Sequence, residues 1–149
     1  MKTRCLILVA ILACAVLPAC ARDKADTCVP VVRDAWIRLV PGGMPMHAGF
    51  ARIDNPCKTP FTVTAVASDA YGSASLHETT LVNGISRMRA LPQLALPAGG
   101  SVELEPGGVH LMLMDPKKPL KPGDHVVLRF EAGKGRAING DFAVRAAGG

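Results

Sequence analysis

The chain has few aromatic side chains and no dense run of like charge. Aromatic residues make up 4% of the 149 residues, and the formal net charge of +5 is spread along the sequence. Nucleic-acid surfaces need clustered Lys and Arg, often with rings that stack on bases. We therefore expect no nucleic-acid partner. The short cluster Lys117, Lys118 and Lys121 is typical of a solvated loop, the alternative being a patch that steers an acidic partner.

Motifs for catalysis are also missing from the sequence. It contains no Gly-x-Ser-x-Gly elbow, no glycine-rich phosphate loop and no paired carboxylates near a histidine. Glu78 directly follows His77, but adjacent residues on a strand point to opposite faces, so Glu78 is a poor candidate for a base. The sequence does not predict an enzyme.

No apolar run is long enough to cross a bilayer as a helix, which takes about 20 residues. The longest run, Leu6–Leu17, has about a dozen residues, and Lys2 and Arg4 precede it. A short apolar run behind basic residues is typical of a secretory signal peptide. We therefore expect the protein in the periplasm or cell envelope.

Two cleavage sites compete at the end of this signal. Residues 17–20, Leu-Pro-Ala-Cys, resemble a bacterial lipobox, which gives a signal peptide of 1–19 and a lipidated Cys20. The alternative is a small-x-small site that gives a signal peptide of 1–21. We favour the lipoprotein, with residues 20–28 as a polar tether and the lipid as the only contact with the membrane.

Cysteine is scarce once the signal is removed. Cys5 and Cys14 leave with it, and Cys20, Cys28 and Cys57 remain. An odd count in an exported protein needs an explanation, and lipidation of Cys20 supplies one. Cys28 and Cys57 can then form a disulfide, which an oxidising compartment permits. The alternative is two separate buried thiols.

Residues 29–145 carry short β-prone segments between Gly and Pro turns, without a long amphipathic helix. The segments are Val29–Val40, Met46–Asp54, Phe61–Ala67, Ala74–Leu81, Ile85–Leu91, Ser101–Leu104, Val109–Met114, His125–Glu131 and Arg136–Val144. Many short strands at near-regular spacing predict a single all-β domain, either a sandwich or a barrel.

Two histidines and two methionines stand out in this domain: His77, Met88, His110 and Met112. Residues two apart on a strand share a face, so His110 and Met112 project together while the leucines next to them project into the core. Thioether sulfur is soft and suits Cu(I) better than Ca²⁺, Mg²⁺ or Zn²⁺. If the four side chains converge, they form a copper site. A single Met on a strand is more often core filler.

The segment Asn83-Gly84 gives convergence a mechanism, because Asn-Gly is a strong hairpin signal. Facing residues in a hairpin centred there have numbers that sum to about 167, and His77 and Met88 sum to 165. We expect these two residues within one residue of direct opposition. One hairpin and one strand would then supply all four donors.

Other ligand-type residues lie nearby in the sequence. Met114 shares the predicted face of His110 and Met112 and could add a sulfur or cover the site. The cluster Met44-Pro45-Met46-His47 brings ligand-type residues close together, and Met46 and His47 are its candidates for auxiliary copper contacts. The alternative is that Met46 packs inward where a loop enters a strand. His125, alone at a strand start, is interpreted as structural.

The pattern resembles the PCu(A)C family of periplasmic copper chaperones. The family pattern of His, ten residues, Met, twenty-one residues and His-x-Met falls on His77, Met88, His110 and Met112 without a gap. The surrounding segments match as well, namely Leu-His-Glu-Thr at 76–79, the Asn-Gly turn and residues 106–114. The similarity covers about residues 31–130.

This resemblance implies a cupredoxin-like Greek-key β-fold with a Cu(I) site at the surface. It also implies delivery of copper to the dinuclear centre of cytochrome c oxidase, with the copper-bearing subunit or another copper chaperone as partner. Some members carry a His/Met-rich tail, whereas residues 142–149 hold no metal ligand. We expect one Cu(I) per protein.

The ligand types favour a carrier over an electron-transfer protein. Blue-copper centres need a Cys thiolate with two His, and no Cys lies near the four residues in sequence. Two alternatives stay open: a copper-buffering or resistance lipoprotein without an oxidase partner, and an envelope β-sandwich module that binds no metal. For a copper site we expect affinity to fall below about pH 6.5, where free imidazole becomes protonated.

Overall fold

The described part of the chain forms ten β-strands. The computed structural model describes residues 28–148, and no α-helix occurs among them. The strands are β1 (Val31–Leu39), β2 (Met46–Asp54), β3 (Phe61–Ala67), β4 (Tyr71–Val82), β5 (Ile85–Ala90), β6 (Leu94–Leu96), β7 (Ser101–Leu104), β8 (Val109–Pro116), β9 (His125–Ala132) and β10 (Ala137–Arg145). Short 3-10 turns cover Pro41–Gly43 and Gly133–Gly135. The predicted all-β class is confirmed.

The predicted export features fall mostly outside this description. The signal peptide at 1–19, or 1–21, the lipidated Cys20 and the tether up to residue 27 lie outside residues 28–148. Among the described residues, there is no helix that is long and apolar enough to cross a membrane.

Seven strands close into a barrel in the order β4-β8-β2-β1-β10-β9-β3. The circuit closes where β3 pairs with β4, at Val66 and Ala74. β1 and β10 run parallel, while the other ladders within residues 28–148 are antiparallel. The remaining strands extend this circuit, since β5 pairs with β4, β6 with β3 and β7 with β2. Of the two predicted architectures, the structure shows the barrel.

Aliphatic and phenylalanine side chains from all seven strands fill the barrel interior. On β9, Val126, Leu128 and Phe130 are buried while Val127 and Arg129 between them are exposed, the period of two that a one-sided strand requires. On β8 the inward residues are Leu111 and Leu113, both fully buried. His110, Met112 and Met114 therefore belong to the outer face of β8, as the sequence predicts.

The β2–β3 loop is held by a disulfide and a buried amide. Cys28 and Cys57 are bonded, with Cα atoms 5.6 Å apart, so the N-terminal end of the described chain is fastened to this loop. Asn55 is fully buried, and its Nδ2 donates to the carbonyls of Thr59, Leu96 and Pro97. The predicted disulfide is present, and the alternative of two separate thiols is wrong.

Candidate metal centre

His77 and His110 are direct cross-strand partners on β4 and β8. Their ring centroids lie 6.2 Å apart. The same ladder pairs Ser75 with Met112, so His77, His110 and Met112 occupy two adjacent rows on one face. The structure therefore brings three of the four predicted ligands together through one strand pairing.

A backbone carbonyl fixes the tautomer of His110. Nδ1 of His110 lies 3.0 Å from the carbonyl oxygen of Gly108. A carbonyl can only accept, so Nδ1 carries the proton and donates it. The lone pair is then on Nε2, which is the nitrogen available to a metal. The side chain is nearly enclosed, with 7% of its surface exposed, and so its orientation is well defined.

His77 is more loosely held. Its Nε2 forms a hydrogen bond of 3.1 Å with the hydroxyl of Ser75, a group that can donate or accept. Partial burial lowers the pKa of His77 below the usual histidine value, and the positive charge that His110 can carry lowers it further. Because the pKa is lowered, the neutral form that a metal requires persists to lower pH.

Met88 reaches the same region from the hairpin. β4 and β5 pair with numbers that sum to 167, as in His77 with Ala90 and Thr79 with Met88, so the predicted turn is present. The expected position of Met88 within one residue of opposition to His77 is wrong, because Met88 faces Thr79, two residues away. Both still lie on one face as diagonal neighbours. Met88 is 53% exposed, which leaves its sulfur accessible from solvent.

A cavity of about 200 Å³ collects most of the donors. Its lining includes Met46, Met88, His110 and Met112. Of the residues described, His77 does not line this cavity but lies beside it, against His110. The lining therefore offers three thioethers, the oriented imidazole of His110 and part of His47 to a single small volume, and the imidazole of His77 lies beside it. These are soft and borderline neutral donors, a set suited to Cu(I).

The auxiliary candidates separate by strand face. β2 pairs with β8 so that Met46 faces Met114 and Ala48 faces Met112, which places Met46 on the outer face. His47 faces Leu113 instead, and its Nδ1 forms a 2.8 Å hydrogen bond with the Tyr71 hydroxyl. Burial lowers the pKa of His47 and raises that of Tyr71 to about 12. His47 contributes to the cavity wall, but it lies in register with the fully buried Leu113, on the inward face of the barrel.

Two residues that line the cavity, Phe50 and Arg38, belong to no motif in the sequence. The Phe50 ring lies 6.5 Å from that of His110, and the guanidinium of Arg38 lies over the Phe50 ring, 5.1 Å from its centroid. Phe50 lies two residues beyond Ala48 and four beyond Met46, so the period of two places all three on one face of β2, and this is the one sequence signal for Phe50. That signal cannot reveal that β2 and β8 are adjacent.

Comparisons with known proteins agree with this architecture. Residues 31–144 match the family model LpqE-like, described as "Putative lipoprotein LpqE-like". The chain is also 38% identical over 132 residues to "Putative lipoprotein Lxx21020" of Leifsonia xyli subsp. xyli (strain CTCB07), over 85% of this chain and 78% of that protein.

Two solved structures share the barrel. The solution structure of CuI-DR1885 from Deinococcus radiodurans matches with a TM-score of 0.62 and 30% identity, over 84% of this chain and 85% of that one. The apo PCuAC domain from PmoF1 matches with a TM-score of 0.64 and 26% identity, over 78% of this chain and 93% of that one.

The fold thus defines the class first, a cupredoxin-like β-barrel domain of the PCuAC type. Because the family model spans most of the sequence, the chain belongs to the LpqE-like family, which is related to the PCuAC domains. The expected family resemblance and the expected cupredoxin-like fold are both confirmed.

Proposed function

We propose that the protein is a copper chaperone of the cell envelope that binds one Cu(I) through His77, Met88, His110 and Met112 and delivers it to the copper centre of cytochrome c oxidase. The observation that carries this proposal is the cavity, which gathers the thioethers of three strands around the oriented imidazole of His110. Among residues 28–148, the lining contains no carboxylate, the ligand that Ca²⁺ and Mg²⁺ prefer. It does contain the soft thioether donors that Cu(I) prefers.

The same donor set favours carriage over electron transfer. Both cysteines of residues 28–148 are joined as Cys28–Cys57, so neither supplies the thiolate that a blue-copper centre requires. Neutral thioethers and imidazoles also release the metal without a thiolate having to be protonated. An acceptor with thiolates can therefore remove Cu(I) ligand by ligand.

The relatives support both the cargo and the location. One matched structure, from Deinococcus radiodurans, is named as a CuI form, and another is named as a PCuAC domain. The matched family and the relative from Leifsonia xyli are both described as lipoproteins, which supports lipidation at Cys20 and residence in the envelope.

Met46 is the auxiliary sulfur that the geometry supports best. It lies diagonally across the β2–β8 ladder from Met112 and lines the cavity with it. Met114 lies on the same face one row from Met112, outside the cavity lining of the described chain. His47 lies on the inward face opposite Leu113, where it pairs with Tyr71, and is therefore left out of the proposed donor set.

Titration of Cu(I) against a competing chelator, combined with X-ray absorption, tests the site. We expect one Cu(I) with both nitrogen and sulfur neighbours, and loss of at least tenfold in affinity for Met88→Leu combined with Met112→Leu. Met44→Leu is the matched control, because Met44 is 49% exposed and outside the cavity lining. Unchanged binding by the double variant would exclude the four-ligand site.

Delivery needs a separate experiment. The copper-loaded protein is mixed with the apo copper-bearing domain of cytochrome c oxidase, and Cu(I) on each protein is measured after separation. We expect most of the copper to move to the oxidase domain. Copper that stays on the chaperone would favour a buffering protein and would contradict delivery.

A further inference from the structure

A row of four rings crosses the outer face of the barrel and ends at the candidate metal centre. The ladders align His77 with His110, and Phe50 with Trp36. Ring centroids are 6.2 Å apart for the two histidines, 6.5 Å for His110 and Phe50, and 4.6 Å for Phe50 and Trp36. The row of rings thus continues onto β2 and β1, where Phe50 is buried and Trp36 is half-buried.

Two arginines lie over this row of rings, side by side. Arg38 and Arg145 are direct partners in the parallel β1–β10 ladder. Like charges opposite each other on a sheet are unfavourable. Here each guanidinium rests on a ring, Arg38 over Phe50 at 5.1 Å and Arg145 over Trp36 at 4.9 Å. Stacking holds both cations in place on the face that bears the donors.

Neither of these guanidinium groups forms an ion pair with a carboxylate within residues 28–148. Several other arginines of the barrel do, such as Arg52 with Asp54 and Arg89 with Glu78. Arg38 also lines the cavity. Two unneutralised cations, one of which lines the candidate site for a metal cation, would repel that cation and are available to negative charge on a partner.

We propose that Arg38 and Arg145 form a docking surface for the carboxylates of the protein that exchanges copper with this site. The inference rests on the proposed function and adds the chemistry of the partner, an acidic protein surface next to copper ligands. Fixed cations beside the cavity orient such a partner so that its ligands meet the exposed Met88. Guanidinium groups suit this purpose because their fork geometry matches carboxylates in two-point contacts.

The test is the rate of Cu(I) transfer to the apo copper-bearing domain of cytochrome c oxidase, measured from low to high salt. For Arg38→Gln with Arg145→Gln we expect the rate at low salt to fall about tenfold and the salt dependence to flatten, since steering by charge is screened. Arg38→Lys with Arg145→Lys keeps the charges and should retain most of the rate. Arg136→Gln is the matched control, because Arg136 stacks on Phe61 and lines a different pocket.

Cu(I) affinity is measured in parallel for each variant. Removal of cations near the metal should leave the affinity equal or higher, so a loss of affinity as large as the loss of rate would overturn the proposal. A double Gln variant that transfers copper as fast as wild type or Arg136→Gln would overturn it too. If the wild-type protein transfers no copper at all, the result contradicts the proposed delivery to the oxidase, and the proposed docking surface is then wrong as well.

Discussion

His77 and His110 face each other across β4 and β8, although β5, β6 and β7 separate them in the chain. With ring centroids 6.2 Å apart, the two imidazoles cannot both be protonated without repulsion. One of them is already oriented by the Gly108 carbonyl, and the other is held only by a serine hydroxyl. The pair thus combines an imidazole whose tautomer is fixed by a carbonyl with one whose hydroxyl partner can donate or accept.

The lowered pKa of His77 predicts how copper binding depends on pH. Its causes are partial burial and then the charge of His110, and both favour the neutral, metal-binding form. We therefore expect His77 to titrate below about 6.5, the value of free imidazole. Cu(I) affinity should hold as pH falls to that value and decline only below it, because protons compete for the imidazole.

NMR titration of the imidazole signals in the metal-free protein checks this prediction, and a chelator titration at several pH values checks the affinity. In His110→Gln the pKa of His77 should rise part of the way towards its usual value, because one cause is removed and burial remains. A normal pKa for His77 in wild type, or a Cu(I) affinity that does not change down to pH 5, would contradict this account.

Much of the site was predictable because strand periodicity and one turn are local properties. The alternation of Leu111 and Leu113 with His110 and Met112 set the outer face of β8, and the Asn83-Gly84 turn set the β4–β5 register. The strands themselves were also found, except β6, whose three residues lie between prolines and are too short to show a pattern.

The pairing of distant strands could not be predicted. The residues around His77 and Met46 do not predict that β4 and β2 both lie next to β8. The cavity forms only because these three strands are adjacent. The parallel contact between β1 and β10 joins the two ends of the domain, so Arg38 and Arg145 meet only after the barrel closes. Asn55 was missed for the same reason, since its partners Leu96 and Pro97 come from far along the chain.

Removal of the disulfide should lower stability without affecting copper. The bond joins Cys28 and Cys57 across a sequence separation of 29 residues, and neither residue lines the cavity. Constraint of the unfolded chain by such a loop contributes about 3–4 kcal/mol in the chain-entropy view. We expect Cys28→Ser with Cys57→Ser to lose about that much in urea unfolding.

The Cu(I) affinity and the sulfur count of this double variant should equal those of wild type when both are folded. That comparison also checks the choice of thioethers over thiolates as ligands. A large fall in affinity with intact folding would mean that a cysteine reaches the metal. Equal unfolding midpoints for wild type with and without reductant would contradict the stabilising role.

Asn55→Asp should destabilise the barrel more than its small change in shape suggests. Nδ2 of Asn55 donates to three carbonyl oxygens, those of Thr59, Leu96 and Pro97, in a fully buried position. Aspartate keeps the Oδ1 that accepts from the Cys57 amide but turns a second oxygen towards the three carbonyls. Oxygens facing oxygens lose the hydrogen bonds and add repulsion, and we expect a cost of about 3 kcal/mol or more.

Urea unfolding of Asn55→Asp measures this cost, and Asn139→Asp is the control because Asn139 is exposed on β10. The loss should be greatest at neutral pH and partly relieved in acid, since a protonated aspartate can donate one hydrogen bond to a carbonyl. The folded variant should bind Cu(I) normally, because Asn55 does not line the cavity. Equal stability of the two variants would mean that the amide does not hold the β2–β3 loop to the β6 strand.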